Sequence, residues 1–252
     1  MRELITDADE PLASVSDRPV VGIGRATCRG YVERSARESG GDVRIYDDAQ
    51  EMVDDLVSGR IDAAVRGDLP SDEVMPMLRK AFGLRKLERI VILQPAGGRL
   101  LILAPVGIDE GWTEDQRFDI AANAARFAKR LGMESRIAVM SGGRCEDRGR
   151  CAAVDRSIDN AISLVDRLID AGYDAYHCQI LVEDAVREAG IIIAPEGITG
   201  NIMFRTLHFV GGVQALGAPV VNADRVFIDT SRAKTDYRDS IALARRLSEG
   251  SQ

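Results

Sequence analysis

The chain has 252 residues, 45% of them hydrophobic, a formal net charge of −7 and a pI near 5.1. That size suits one large α/β domain or two smaller lobes with a substantial core. The acidic balance argues against general affinity for nucleic acid or anionic lipid, and no apolar run reaches the roughly 18 residues of a membrane span. The opening MRELITDADEP is too acidic and polar for a signal peptide, and Cys28, Cys145, Cys151 and Cys178 form no disulfide-like framework. A cytoplasmic protein with reduced thiols is expected.

Residues 1–18 read as a surface segment with a short helix. Pro19 to Gly24 reads as a strand entering a glycine turn, with a helix from near Cys28 to Ser39. Gly22 and Gly24 invite a dinucleotide-binding reading, but Thr27 occupies the third small-residue position, and Asp47 and Asp48 only approach the required acidic register. A tight turn without a cofactor is the better account. Asp42 to Tyr46 is a second strand, residues 47–58 an amphipathic helix, and Ile61 to Val65 a third strand. A helix over 71–82 follows, then strands over 88–94 and 99–104 separated by Pro95-Ala96-Gly97-Gly98, a hairpin connection.

Thr113 with Gln116 forms a capping box for a helix running to Leu131, where Gly132 supplies the stop. Residues 136–140 are a strand ending at Ser141-Gly142-Gly143, and a helix spans 152–171. A strand over 173–180 and a short helix over 182–188 lead to Ile191-Ile192-Ile193-Ala194, β-branched enough for a buried parallel strand. Further strand-like runs lie at 219–221 and 226–228, and a last helix at 236–247. Strands and helices alternate throughout, so the sheet is expected to be largely parallel and covered on both faces.

The stretch from Gly190 to Leu216 organises this reading. After the isoleucine strand, Gly197, Thr199 and Gly200 form a loop, and Asn201 is placed as the N-cap of a mostly buried helix through Ile202, Met203, Leu207, Phe209 and Val210. Strand, glycine turn and helix start would aim free N–H groups at one point, where an anion is stabilised. Three polar turns fall at strand C-termini: Ser141 with Gly142, Gly197 to Asn201, and Thr230-Ser231-Arg232. Open parallel sheets bind ligands at such ends, so the three are expected to meet in one cleft.

Other constellations carry less. Cys145 and Cys151 are six apart, too far for a zinc pair, and no metal is expected. No nucleophile elbow or Walker A sequence occurs. His208 reads as a satisfied core histidine. Asp236 and Asp239 are three apart on a helix face, where either serves as a general base if burial raises its pKa, or both merely satisfy the helix dipole. Arg232 is suited to bidentate pairing with phosphate or carboxylate.

The run AGIIIAPEGITGNIMFRTL, followed by APVVNADRVFIDTSR, resembles the phosphate acetyl/butyryltransferase family. Ile61 to Gly67 is similar to that family's early Ala-Asp-Gly segment, and Arg136 to Ser141 to its central strand. The similarity covers about residues 60–248 in one order. It is strongest to a branch from methanogenic archaea known as methanogenesis marker protein 4, or methyltransferase subunit X. The resemblance implies an isocitrate/isopropylmalate dehydrogenase-like α/β/α sandwich of two lobes with a cleft between: residues 1–108 with 220–252, and residues 109–219. It implies acyl transfer between coenzyme A and phosphate or a related phosphorylated substrate, in methanogen metabolism, by a homodimer.

In that scheme Ser231 and Arg232 match the family's Ser-Arg. The family's catalytic Asp falls where this chain has Arg238, so its role passes to Asp239 or Asp236. Thr199, Gly200, Asn201, Gly197, Ser141 and Gly142 would contact substrate. Met75 stands where the family has a substrate-contacting arginine, with Arg66, Arg79 and Arg99 as alternative sources. The competing readings are a non-catalytic accessory or cofactor-binding protein with a methyltransferase partner, and a methyltransferase subunit proper.

Overall fold

The computed structural model describes residues 19–27, 29–231 and 233–249. The expected surface segment over 1–18, Cys28 and Arg232 lie outside the described residues. The chain divides into two units, one comprising the described residues up to Leu87 together with those from Leu216 onward, the other Glu88–Ala215. The dividing points thus fall at 87 and 215, not at 108 and 219. The reason is pairing: the hairpin after Leu87 hydrogen-bonds into the second unit's sheet, where Ile102, Leu103 and Ala104 pair with Ile191, Ile192 and Ile193.

In the first unit, β1 (Val21–Gly24), β2 (Val43–Tyr46), β3 (Ala63–Val65), β9 (Gln214–Pro219, entering this unit at Leu216) and β10 (Val226–Asp229) run in the order β2-β1-β3-β10-β9. All pairs are parallel except β9 with β10. Helices α1 (Tyr31–Glu38), α2 (Ala49–Ser58), α3 (Ser71–Ala81) and α8 (Arg238–Glu249) cover it. Asp48 caps α2, its carboxylate accepting the Glu51 N–H at 2.8 Å. The strand expected at 219–221 lies earlier, because the antiparallel register with β10 pairs Ile228 with Pro219 and Asp229 with Ala218. Gly22 and Gly24 serve packing: a Cβ on Gly24 would come within 2.6 Å of the Arg66 carbonyl oxygen, and one on Gly22 within 2.5 Å of Ile61.

In the second unit, β4 (Val91–Gln94), β5 (Leu101–Ala104), β6 (Ile137–Met140), β7 (Ala175–Gln179) and β8 (Ile191–Ile193) run in the order β4-β5-β8-β6-β7. The β4–β5 pair is antiparallel and the rest are parallel. Helices α4 (Glu114–Arg130), α5 (Ala152–Asp170), α6 (Val182–Glu188) and α7 (Gly197–Arg205) complete it. β8 lies between β5 and β6 and its three isoleucines are buried, each contributing about 1.5–3 kcal/mol of apolar burial. The α4 cap forms as read: Thr113 Oγ1 accepts from Gln116 N at 3.2 Å. The return bond goes one residue further back, from Trp112 N to Gln116 Oε1 at 2.9 Å.

The C-terminal ends of β3 and β10 are fastened by a buried charge pair. Arg66, 4% exposed, donates from Nε to Asp229 Oδ1 at 2.5 Å and from its guanidinium to the Leu69 carbonyl. Thr230 adds a bond from Oγ1 to the Gly67 carbonyl at 2.7 Å. Truncating one member of such a pair leaves the other charge poorly compensated. Arg66→Met is expected to lower stability by about 3 kcal/mol, read as a shifted urea midpoint at constant slope.

Candidate active site

A cavity of about 510 Å³ lies at strand C-termini in the second unit. Its walls are mostly apolar: Met140, Val154, Ile180, Val182, Pro195 and Met203. Ser141, Ser157, Glu196 and Thr199 bring polar atoms to it. Two of the three predicted turns, those at Ser141-Gly142 and at Thr199, therefore share one cavity. β6 and β8 are hydrogen-bonded neighbours, so the residues that follow each strand emerge side by side. The third turn, with Ser231, belongs to the first unit.

The helix after β8 starts earlier than Asn201. Its cap is Glu196, whose carboxylate accepts from Ile198 N at 2.6 Å and Thr199 N at 3.1 Å, and from the Thr199 hydroxyl. The N–H groups expected to receive a phosphate already hold an internal anion. Asn201 lies one turn inside α7 and donates from Nδ2 to the Val106 carbonyl at 2.8 Å. The glycines have a packing reason: a Cβ on Gly197 would lie 1.7 Å from the Gly107 carbonyl oxygen, and one on Gly200 1.9 Å from that of Pro105. Nor is this segment mostly buried. Ile202, Phe209 and Val210 are exposed, and the helix passes into a π-helical turn over Thr206–Val210. His208 Nδ1 lies 2.8 Å from the Val213 carbonyl oxygen.

Ser141 is buried. Its Oγ lies 2.8 Å from the Gly143 carbonyl oxygen and 2.8 Å from His177 Nε2. One hydroxyl proton thus faces two acceptors, and the imidazole tautomer decides which takes it. Burial, with a smaller contribution from the Arg148 cation, holds the His177 pKa below the ordinary imidazole value. Gln179 braces the turn: its carbonyl accepts Ser141 N at 2.9 Å and its Oε1 accepts Cys145 N at 2.9 Å. It does so at φ 59°, a left-handed conformation uncommon for a non-glycine residue. Gly142 N donates to Ser157 Oγ at 2.8 Å. Cys178 is buried and its thiol is pushed up to about 12, which keeps it protonated and unreactive. Among the described residues, no group of three or more His, Cys, Asp or Glu side chains is arranged to hold a metal ion.

In the first unit, Ser231 Oγ accepts Ala233 N at 3.2 Å. α8 begins at Arg238, so Asp236 precedes the helix instead of sharing a face with Asp239. Its carboxylate accepts Arg238 N at 3.0 Å and the Arg238 guanidinium. That guanidinium holds the Asp236 pKa below the usual carboxylate range. A base activated by burial is therefore not what Asp236 is. Lys234, which the motif reading passed over, is half-buried, its backbone N–H donating to the Ser231 carbonyl at 3.0 Å and its Nζ to the Leu216 carbonyl at 3.4 Å; burial lowers its pKa while Asp239 and Asp236 oppose the shift. Of the alternative arginines, Arg66 is committed to Asp229, and Arg99 donates to the Arg187 carbonyl at 2.8 Å. Met75 packs against the apolar core of the first unit.

A Methanosarcina mazei protein named "Putative methyltransferase mtx subunit X" is 41% identical over 203 residues, covering 80% of this chain and 72% of that one. The chain belongs to the mtx subunit X family. A more distant relative is the phosphate acetyltransferase of Corynebacterium glutamicum, 25% identical over 206 residues, covering 76% of this chain and 61% of that one. Among solved structures, a branched-chain phosphotransacylase from Enterococcus faecalis superposes with a TM-score of 0.71 at 15% identity, covering 91% of this chain and 99% of that one. A β-decarboxylating dehydrogenase from Thermococcus kodakarensis gives 0.54 at 16% identity, covering 85% and 76%. The chain thus has the expected isocitrate/isopropylmalate dehydrogenase-like α/β fold. No family model matches it, and no helix among the described residues is long and apolar enough to cross a membrane.

Neither Glu196 nor His177 stood out in the sequence. Glu196 was legible as an acidic residue three before Thr199, the spacing of a helix cap; the partnership of Ser141 with His177 spans 36 positions and had no local signal. Glu196→Ala is expected to cost about 1 kcal/mol as a lost cap and to open the Ile198 and Thr199 N–H groups to inorganic phosphate, measured as a phosphate-dependent rise in Tm absent from the parent. His177 makes a separate prediction. Because its folded pKa is depressed, the unfolded chain binds the proton more readily, and stability falls as pH drops below about 6.5 toward the folded value. His177→Gln should flatten that part of the urea-stability profile.

Proposed function

We propose that this protein is a transferase of the phosphate acyltransferase type, moving an acyl group between coenzyme A and phosphate or a related phosphorylated acceptor in methanogen metabolism. The observation that carries the reading is the match over 206 residues to a phosphate acetyltransferase. The cavity is consistent with it: apolar walls suit an acyl group or the extended arm of a thiol cofactor, and Ser141 places a hydroxyl among them. In the reaction, a base removes the thiol proton, the thiolate attacks the acyl-phosphate carbonyl, and polar groups stabilise the developing oxyanion. Ser231, with Asp239 beyond it, keeps the role that the resemblance assigns. Exposed Ile202, Phe209 and Val210 support a homodimer, since a cluster of exposed apolar side chains is commonly a contact surface.

A second reading is an accessory or cofactor-binding subunit working with a methyltransferase. It is favoured by the name of the Methanosarcina mazei relative and by Met75 packing into the core where a substrate-contacting arginine is expected. The discriminating assay is coenzyme-A-dependent release of phosphate from acetyl, propionyl and butyryl phosphate. Turnover is expected, reduced by about 10²-fold or more in Ser231→Ala. A chain that turns over none of these while co-purifying with a methyltransferase component favours the accessory subunit.

A further inference from the structure

We propose that a cavity at the carboxyl ends of the first unit's strands binds a nucleoside that carries no phosphate, its ribose hydroxyls donating to Asp47. The cavity holds about 430 Å³, within the ordinary range for a small-molecule site. All its lining residues belong to the first unit, and it does not depend on the acyl-transfer reading. β2 lies on one side of β1 and β3 on the other, and both pairs are parallel. The chain therefore leaves β1 in one direction and returns past it in the opposite one. Open parallel sheets bind ligands outside the strand ends at such a reversal. All three strand ends contribute to the lining: Arg25 and Thr27 follow β1, Asp47 follows β2, and Leu69 and Pro70 follow β3, with Glu73 added from α3.

The charges around the cavity reject phosphate. The Ala26 and Thr27 N–H groups, which a phosphate would need, already donate to the Asp68 carboxylate at 2.7 Å and 3.2 Å. Arg25 donates from Nε and Nη2 to the two Asp47 oxygens at 2.6 Å and 2.7 Å, and from Nη1 to Glu33 at 2.9 Å. Its charge is thus neutralised within the protein. Among the described residues of the lining, Arg25 is the one cation, against the carboxylates of Asp47 and Glu73. A neutral or cationic ligand is what these charges admit. Asp47 is exposed, and the hydrogen bonds from Arg25 hold its pKa below the usual carboxylate range, so it is ionised. An ionised carboxylate has about four lone-pair sites, and Arg25 occupies two of them. The others suit a vicinal diol, and an acid directly after the second strand is where doubly wound sheets meet a ribose. Leu69 and Pro70 supply apolar surface for the base. The glycine turn therefore has the sugar-binding part of a dinucleotide site and lacks the phosphate-binding part.

Calorimetric titration of the intact protein with adenosine, 2′-deoxyadenosine and adenosine 5′-monophosphate tests this. Adenosine is expected to bind saturably. The deoxynucleoside is expected to bind about 10-fold more weakly, because it lacks a hydroxyl that the carboxylate accepts. The monophosphate is expected to bind about 10-fold more weakly or worse, because its charge meets like charges. Asp47→Asn, confirmed as folded by circular dichroism, is expected to weaken adenosine by about 10-fold. Glu73→Lys, a change on an exposed helix position, is expected to strengthen monophosphate binding whether or not the Asp47 variant folds. Coenzyme A, which carries phosphates, is expected not to displace adenosine. Absence of adenosine binding to the wild type overturns the proposal, as does a monophosphate that binds as tightly as adenosine. Adenosine binding that neither variant alters places the ligand elsewhere and overturns it as well. Displacement of adenosine by coenzyme A assigns the nucleoside to an acyl-transfer site, which removes this proposal and leaves acyl transfer standing.

Discussion

The close approach of α7 to the backbone of residues 105–110 is the constraint on which the cavity depends. With no side chain at Gly197 or Gly200, the helix settles onto the carbonyl groups of Gly107 and Pro105. The contact is then fastened by Gly197 N to the Glu110 carbonyl at 3.0 Å and by Asn201 to Val106. Glu110 is buried and bonded to Arg89 at 2.8 Å, so the segment that receives the helix is held from its other side. Burial raises the Glu110 pKa even so, with Arg89 opposing the shift. Arg117 donates to the Pro195 carbonyl at 3.0 Å, tying the start of the turn to α4. Pro195, Glu196 and Thr199 are thereby presented as one wall of the cavity rather than as a free loop.

A second pattern follows from where the carboxylates sit. Glu196 occupies the N–H groups at the start of α7. In the first unit, Asp68 does the same after β1, accepting Ala26 N at 2.7 Å and Thr27 N at 3.2 Å. Strand-to-helix turns of this kind stabilise anions because unpaired N–H groups converge there. In both turns the chain supplies its own anion. The second-unit cavity is walled mostly by apolar side chains, and one of its lining residues, Ser141, lies 2.8 Å from His177 Nε2.

The same economy of charge marks the first unit. Arg66 and Asp229 neutralise one another at the ends of β3 and β10. Arg25 is divided between Asp47 and Glu33, and Asp236 is bound to Arg238. Glycine-rich turns and acidic residues that look like ligand sites in a linear sequence are here engaged with other groups of the protein, some adjacent in sequence and some far along the chain. Arg66 and Asp229, for example, are 163 positions apart.

What the sequence by itself determined is the alternation of strands and helices, because periodicity, capping residues and turn glycines act over a few positions. Asp48 and Thr113 cap the helices they precede, and Ile191-Ile192-Ile193 forms a buried parallel strand, as local chemistry requires. The order of similar segments also placed the chain in its fold. Tertiary structure decided the rest. It set the start of α7 at Gly197 instead of Asn201, because the first turn of the helix is seated on the carbonyl groups of Gly107 and Pro105 and fastened to that of Glu110, with Glu196 completing the cap locally. It turned Gly197 and Gly200 from ligand-approach residues into packing residues, because other backbone carbonyls lie against them. It joined Ser141 to His177, because β6 and β7 are adjacent strands, a fact that hydrogen bonding between distant segments creates and no local pattern encodes.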